Sequence, residues 1–198
     1  MRLYSPQTDC LCDNSERKVI RISNFTIFTQ RRNKTLSVEK VREYLKAYGV
    51  EDRMQEFEVS SATVELAAQA VGVEGARIAK TLSFKVHEDP ILIVAAGDAK
   101  VDNSKYKHYY GAKAKMLTFE EAVERIGHAP GGVCPFALPA DVKTYLDVSL
   151  RRFNTVFPAV GSAASAIELT CDELERCCGE NFVEWVDVCK GWQEEEAQ

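Results

Sequence analysis

Histidine is scarce in this chain, with residues only at positions 87, 108 and 128. Cysteine is not, but its seven residues include no Cys-x-x-Cys; the tightest groups are Cys10-x-Cys12 and the adjacent Cys177-Cys178. Structural zinc sites space their ligands more widely within each pair and often add histidine, so neither a metal centre nor another cofactor is expected. An odd, unpatterned set of thiols reads as reduced cysteine in a cytoplasm rather than as a disulfide framework. No apolar run approaches the ~20 residues of a membrane span. Met1 to Asn14 lacks the basic-then-apolar order of a secretory signal. Internal repeats are missing, and Glu194-Glu195-Glu196 is the one biased tract. A net charge of −5 argues against a protein that coats nucleic acid generally. The 198 residues suffice for one full core, most simply one domain with an appendage.

Against this plain background Lys80 stands out. In Ile78-Ala79-Lys80-Thr81-Leu82-Ser83-Phe84, strand alternation sets Ile78, Lys80, Leu82 and Phe84 on one face and Ala79, Thr81 and Ser83 on the other. An ammonium among three large apolar side chains is paired, shifted in pKa, aimed at a ligand, or snorkelling to water. The densest turn signal comes some fifty residues on, in Gly127-His128-Ala129-Pro130-Gly131-Gly132-Val133-Cys134-Pro135-Phe136. Glycine freedom beside two rigid prolines suits a loop that presents amide N–H groups, or an ordinary surface loop.

These segments, together with Gly97-Asp98-Ala99-Lys100-Val101-Asp102, Tyr145-Leu146-Asp147-Val148-Ser149-Leu150 and Gly161, resemble the YbaK/prolyl-tRNA-synthetase-associated domain family. The ordered match runs roughly from Ser37 to Lys190. The resemblance implies a compact mixed sheet wrapped by helices, and an aminoacyl-tRNA deacylase of the prolyl-tRNA editing type. It implies trans-editing of a tRNA charged with a small wrong amino acid, tRNA(Pro) or a relative. Partners are then the aminoacyl-tRNA acceptor end and a prolyl-tRNA synthetase. The family ties activity most closely to the lysine at position 80 and shapes its amino-acid pocket with the Gly-x-x-Pro-Gly loop.

Ester hydrolysis needs a held carbonyl, a stabilised oxyanion and placed water. Lys80 and the amides of Gly131, Gly132 or Val133 are the candidates for these tasks. Substrate contacts are expected from Ser61, Thr63, Gly127, His128, Ala129, Pro130, Val133 and Cys134. Ser60-Ser61-Ala62-Thr63 also reads as simple helix capping, and His128 as a solvent-facing loop residue. A rival reading makes Cys134 a nucleophile with His128 as base, but no orienting Asp or Asn follows in a familiar pattern. Another makes the chain a non-catalytic module that binds aminoacyl-tRNA or an amino acid.

The remaining sequence reads as an α+β (mixed α/β) domain over residues 36–198 after an extension, 1–35, of unknown structure. Within the extension, Val19 to Phe28 alternates like a strand. Helices are expected from Ser37 through Val38, Val41, Leu45 and Tyr48, and over Thr63–Val71 with Gly72 ending it. Another falls between Asp102 and Gly111, and two more open on the capping boxes Thr118-Phe119-Glu120-Glu121 and Thr170-Cys171-Asp172-Glu173. Strands are expected near Phe57, at Ile78–Val86, Ile91–Ala96, Lys143–Leu146, Asn154–Phe157 and Ala166–Leu169, and as one last strand over Phe182–Cys189. Lysines 100, 105, 107, 113 and 115 cluster opposed only by Asp102. Of these, Lys100, Lys105, Lys107 and Lys113 are candidates for tRNA phosphates, or for a solvated helix face.

Overall fold

The computed structural model describes residues 37–57, 63–128 and 131–192. The expected Val19–Phe28 strand and the 1–35 extension lie outside these residues. A central sheet of five strands carries the fold: β2 (Ile78–Val86), β3 (Asp89–Ala96), β5 (Lys143–Asp147), β6 (Phe157–Pro158) and β8 (Phe182–Val186), in spatial order β6-β2-β3-β5-β8. The β2–β3 hairpin is antiparallel, while β6 joins β2, β5 joins β3 and β8 joins β5 in parallel. The sheet is mixed and curved, with helices wrapped around it, as the α+β reading anticipates.

Composition explains the centre. From Pro90 to Ala96, β3 is buried throughout, as a strand covered on both faces must be. Small two-stranded pairs extend the architecture: β1 (Met54–Glu56) with β7 (Ser165–Ile167), and β4 (Lys100–Val101) with β9 (Cys189–Lys190). The helices are α1 (residues 37–46), α2 (Val64–Val71), α3 (Asn103–Tyr110), α4 (Phe119–Arg125) and α5 (Cys171–Cys178). Both expected capping boxes form, with Thr118 and Thr170 each accepting from the third helical amide and each glutamate returning the bond. Asp102 caps α3, accepting from the amides of Ser104 and Lys105, and Gly111 ends it at φ +67°.

Five expectations need correction. Helix α1 stops at residue 46, so Tyr48 is not on its stripe; it packs by its ring against Tyr44, 5.2 Å away. The final run over Phe182–Cys189 is not one strand. The buried Asp147 carboxylate accepts from the amides of Val188 (3.0 Å) and Cys189 (3.1 Å), which bends the chain between β8 and β9 and sends it to another sheet. The strand expected near Phe57 ends at Glu56, and those at 154–157 and 166–169 shift to Phe157–Pro158 and Ser165–Ile167. Of the cysteines, 134, 171, 177, 178 and 189 are free thiols, all but Cys171 buried. No group of three or more His, Cys, Asp or Glu side chains gathers for a metal among the described residues.

Candidate functional site

Lys80 lies on β2 opposite Ala95 of β3. Leu82, Phe84 and Val86, farther along its face, pack into the main core. Its ammonium is spent on backbone rather than on a carboxylate. Nζ donates to the Gly97 carbonyl at 3.0 Å, and a second short bond goes to the Ala99 carbonyl. Burial lowers the lysine pKa from its ordinary value; Asp98 and Asp147 pull the other way, and Lys100 adds to the lowering. An ammonium has three donors, and two are used among the described residues.

The carbonyls belong to the turn between β3 and β4, which is tightly packed. A Cβ on Gly97 would stand 2.0 Å from the Gly75 carbonyl oxygen, so no other residue fits there without moving the backbone. The Gly97 amide donates to Ala76 at 3.2 Å and the Ala99 amide to Ala96 at 3.0 Å.

Lys80 borders a cavity of about 290 Å³. Val64 and Ala67 of α2, Thr81 and Ser83 of β2, Gly131 and Val133 of the Gly/Pro loop, and the turn around Ser162 wall it. Lys80 is the one ionisable side chain among the described residues of that lining. Thr81 Oγ1 is buried with no hydrogen-bond partner among the described residues, a state that costs about 1–3 kcal/mol unless a ligand or water meets it.

Of the residues expected at the site, Lys80, Thr63, Gly131 and Val133 line this cavity. Thr63 also caps α2, with the Leu66 amide donating to its hydroxyl at 3.3 Å. Ser61, Ala129 and Pro130 lie outside the described residues. Gly127 ends the α4 turn at φ +81°. Gly132 is pressed against the neighbouring turn: a Cβ there would meet Ser162 Cα at 2.7 Å and the Gly161 carbonyl oxygen at 2.9 Å. His128 and Cys134 do not line the cavity; they pack beneath the loop, 1% and 0% exposed. The solvent-facing reading of His128 is therefore wrong.

The imidazole is fully occupied. Its Nε2 lies 3.1 Å from the Phe136 carbonyl oxygen, which only a protonated nitrogen can satisfy, leaving Nδ1 to accept from the Ser37 hydroxyl at 2.8 Å. Cys134 Sγ is 3.6 Å from Nε2. Burial opposes the imidazolium, but contact with Cys134 and Phe136 outweighs it, and the His128 pKa stands above its ordinary value. Nε2 already meets the Phe136 carbonyl and neither side chain lines the cavity, so the pair is not placed as a nucleophile and base for a substrate bound there.

The cavity's far wall was missed by sequence reasoning. Ser162 and Ser165 bond each other at 3.0 Å and line the site. The available signal was the run of small residues after Gly161, which no local rule separates from an ordinary turn.

Residues 58–177 match the family described as the aminoacyl-tRNA editing domain. The chain belongs to that family. It is 53% identical over 159 residues to an uncharacterized Bacillus subtilis protein, YwhH, covering 80% of this chain and all of that one. Similarity extends at 26% identity to a candidate Cys-tRNA(Pro)/Cys-tRNA(Cys) deacylase of Enterococcus faecalis, EbsC, over 62% of this chain and 76% of the relative. A proline–tRNA ligase of Bacillus pumilus is 33% identical over 51% of this chain but only 18% of its own length. Among solved structures, a candidate trans-editing enzyme for prolyl tRNA synthetase superposes with a TM-score of 0.69 at 29% identity, covering 78% of this chain and 98% of that one. As an editing-domain protein the chain has no described helix long and apolar enough to cross a membrane.

The tRNA-facing candidates divide by their partners. Lys100, Lys107 and Lys113 are exposed and make no ion pair among the described residues. Lys105 is engaged with Asp187 at 2.7 Å and with the Cys189 carbonyl at 3.3 Å.

Proposed function

We propose that this chain is an aminoacyl-tRNA deacylase acting in trans, in the cytoplasm, within a unit spanning residues 36–198. Its substrate is a mischarged tRNA, tRNA(Pro) or a relative, carrying a small uncharged amino acid on the 3′ ribose. The observation that carries the reading is Lys80 itself, the one ionisable side chain among the described residues lining the cavity, with two of its three ammonium donors committed to described backbone carbonyls. At about 290 Å³ that cavity falls at the low end of the ~300–1,000 Å³ common for ligand pockets, a size for an aminoacyl group rather than a nucleotide.

In the reaction, water adds to the ester carbonyl carbon, and negative charge gathers on the carbonyl oxygen. Collapse of the tetrahedral species breaks the bond to the ribose oxygen, which leaves with a proton, yielding free amino acid and tRNA. The third Lys80 N–H and the loop amides from Gly131 to Val133 are the donors for that charge, worth most where water is excluded. The orphan hydroxyl of Thr81 and the serine wall are suited to an uncharged polar group of the substrate. A family containing proline–tRNA ligases supports a substrate and partner near that synthetase.

The test is a panel of purified tRNAs, each charged with one radiolabelled amino acid, with release of label followed over time. Turnover of Ala-, Ser-, Thr- or Cys-tRNA above the uncatalysed rate supports the reading. Tight binding of the whole panel without turnover makes the chain a binding module instead.

A further inference from the structure

We infer that Asp98 and Arg152 are positioning residues: an ion pair at the surface fixes the backbone turn whose carbonyls hold the Lys80 ammonium. The inference rests on Lys80 being the operative group of the proposed deacylase.

The chain of contacts is short. Arg152 Nη2 donates to Asp98 Oδ1 at 2.6 Å. Asp98 is the middle residue of Gly97-Asp98-Ala99, and the carbonyls on either side of it are the two that accept from Lys80. Arg152 itself is held on three sides. Its Nε donates to Ser149 at 3.0 Å, its Nη1 to Trp192 at 3.1 Å, and its guanidinium lies over the rings of Phe153 and Trp192 at 4.8 and 5.2 Å. Ser149 continues the brace from its other end, because its hydroxyl accepts from the Ala96 amide at 3.1 Å, one residue before the turn. The 3₁₀ turn Val148–Arg152 is thus a splint along the β3–β4 connection.

An exposed ion pair of this kind adds little to stability, 0–1 kcal/mol in general. Its placement matters more, since carbonyl displacement of about 1 Å at a reacting group costs on the order of a hundredfold in rate. Electrostatics also run through it. The groups that act on the Lys80 charge are Cys189 on β9, Asp98 in the turn, Lys100 on β4, Asp147 on β5 and Glu65 on α2. Asp98 favours the ammonium, and Arg152 neutralises Asp98.

The two variants should therefore shift the pH profile in opposite directions while both slow the reaction. Asp98→Asn removes the favouring charge, so the Lys80-dependent limb of kcat against pH moves down, by roughly half a unit. Arg152→Gln bares the Asp98 carboxylate, so the same limb moves up, while kcat falls about tenfold or more from the loosened turn. Arg152→Lys, which keeps the charge, restores part of the rate. A loss of fold, read by thermal melting, would not move the limb of the surviving enzyme in either direction. Three enzymes measured together with Lys80→Ala on the best aminoacyl-tRNA separate the outcomes. An inactive Lys80→Ala with unchanged or parallel limbs in Asp98→Asn and Arg152→Gln overturns the positioning role alone. A fully active Lys80→Ala overturns the deacylase mechanism and this inference with it.

Discussion

The Ser37 hydroxyl and His128 Nδ1 lie 2.8 Å apart, so one side-chain bond ties the start of α1 to the Gly/Pro loop. With the Phe136 carbonyl on the other ring nitrogen, His128 is a pin under the loop rather than a proton carrier above it. His128→Ala strands both partners, and a loss of about 2–4 kcal/mol in unfolding free energy is expected. Cys134→Ala removes only a buried thiol and should keep turnover within about twofold of wild type. Denaturant titration and single-turnover kinetics check both. A thousandfold loss in a well-folded Cys134→Ala would restore the thiol nucleophile.

Lys80→Ala should leave a cooperatively melting protein and lower kcat by about 10²–10³, the usual effect of deleting a donor aimed at developing negative charge. The pH profile follows from the lowered pKa. If the ammonium is the active form, the rate is flat near neutrality and falls as pH rises through a value below the ordinary 10.5. Folding shows the opposite trend: the unfolded chain binds that proton more readily, so the lysine's contribution to stability improves with pH across the same window. A rate that climbs with pH after subtracting uncatalysed ester hydrolysis would make the neutral amine the active form.

Gly131 and Gly132 should fail for different reasons. Gly131 sits at φ +86°, where a side chain costs about 1–2 kcal/mol, and a Cβ would also press on Ala163 Cβ at 3.2 Å. Gly132 has no special φ, yet its Cβ would collide with backbone that cannot swing away. Gly132→Val is therefore the more destabilising, by about 3 kcal/mol or more, and Gly131→Val loses mainly kcat. Wild-type kinetics in both variants would remove the loop from the mechanism.

Local chemistry was legible in the chain; long-range packing was not. Thr118 and Thr170 announce their helices because a capping box closes within four residues, and Gly72 and Gly111 end theirs because only φ > 0 fits there. Lys80 was conspicuous because a cation on an apolar strand face violates the alternation rule. Its anchoring could not be read, since the acceptors are carbonyls and every residue has one. The split between β8 and β9 depends on Asp147, some forty residues upstream, and the burial of His128 on Ser37, ninety-one residues away. Nothing in either local window encodes those partners.

Phosphate contact should fall on Lys100, Lys107 and Lys113, with Lys105 set apart by its bonds to Asp187 and Cys189. Neutralising the first three together should raise KM for tRNA several-fold with little change in kcat, because phosphate contacts position a substrate without touching the reacting bond. The slope of log affinity against log salt should flatten by about 2–3, one counterion's worth per lost contact. Lys105→Gln alone should leave that slope unchanged and instead loosen the start of α3. An aminoacylated fragment too short to reach the lysines should feel the triple substitution least, since it has no phosphates to give them. If KM and salt slope both hold in the triple variant, the lysines are a solvated face. An acidic protein would then have to hold its tRNA by other cations. Arg152 is committed to Asp98 and Arg77 to Thr155 and Glu168, which leaves Lys40, Lys115, Lys143 and Arg151, exposed and without an ion pair among the described residues, as the next to neutralise.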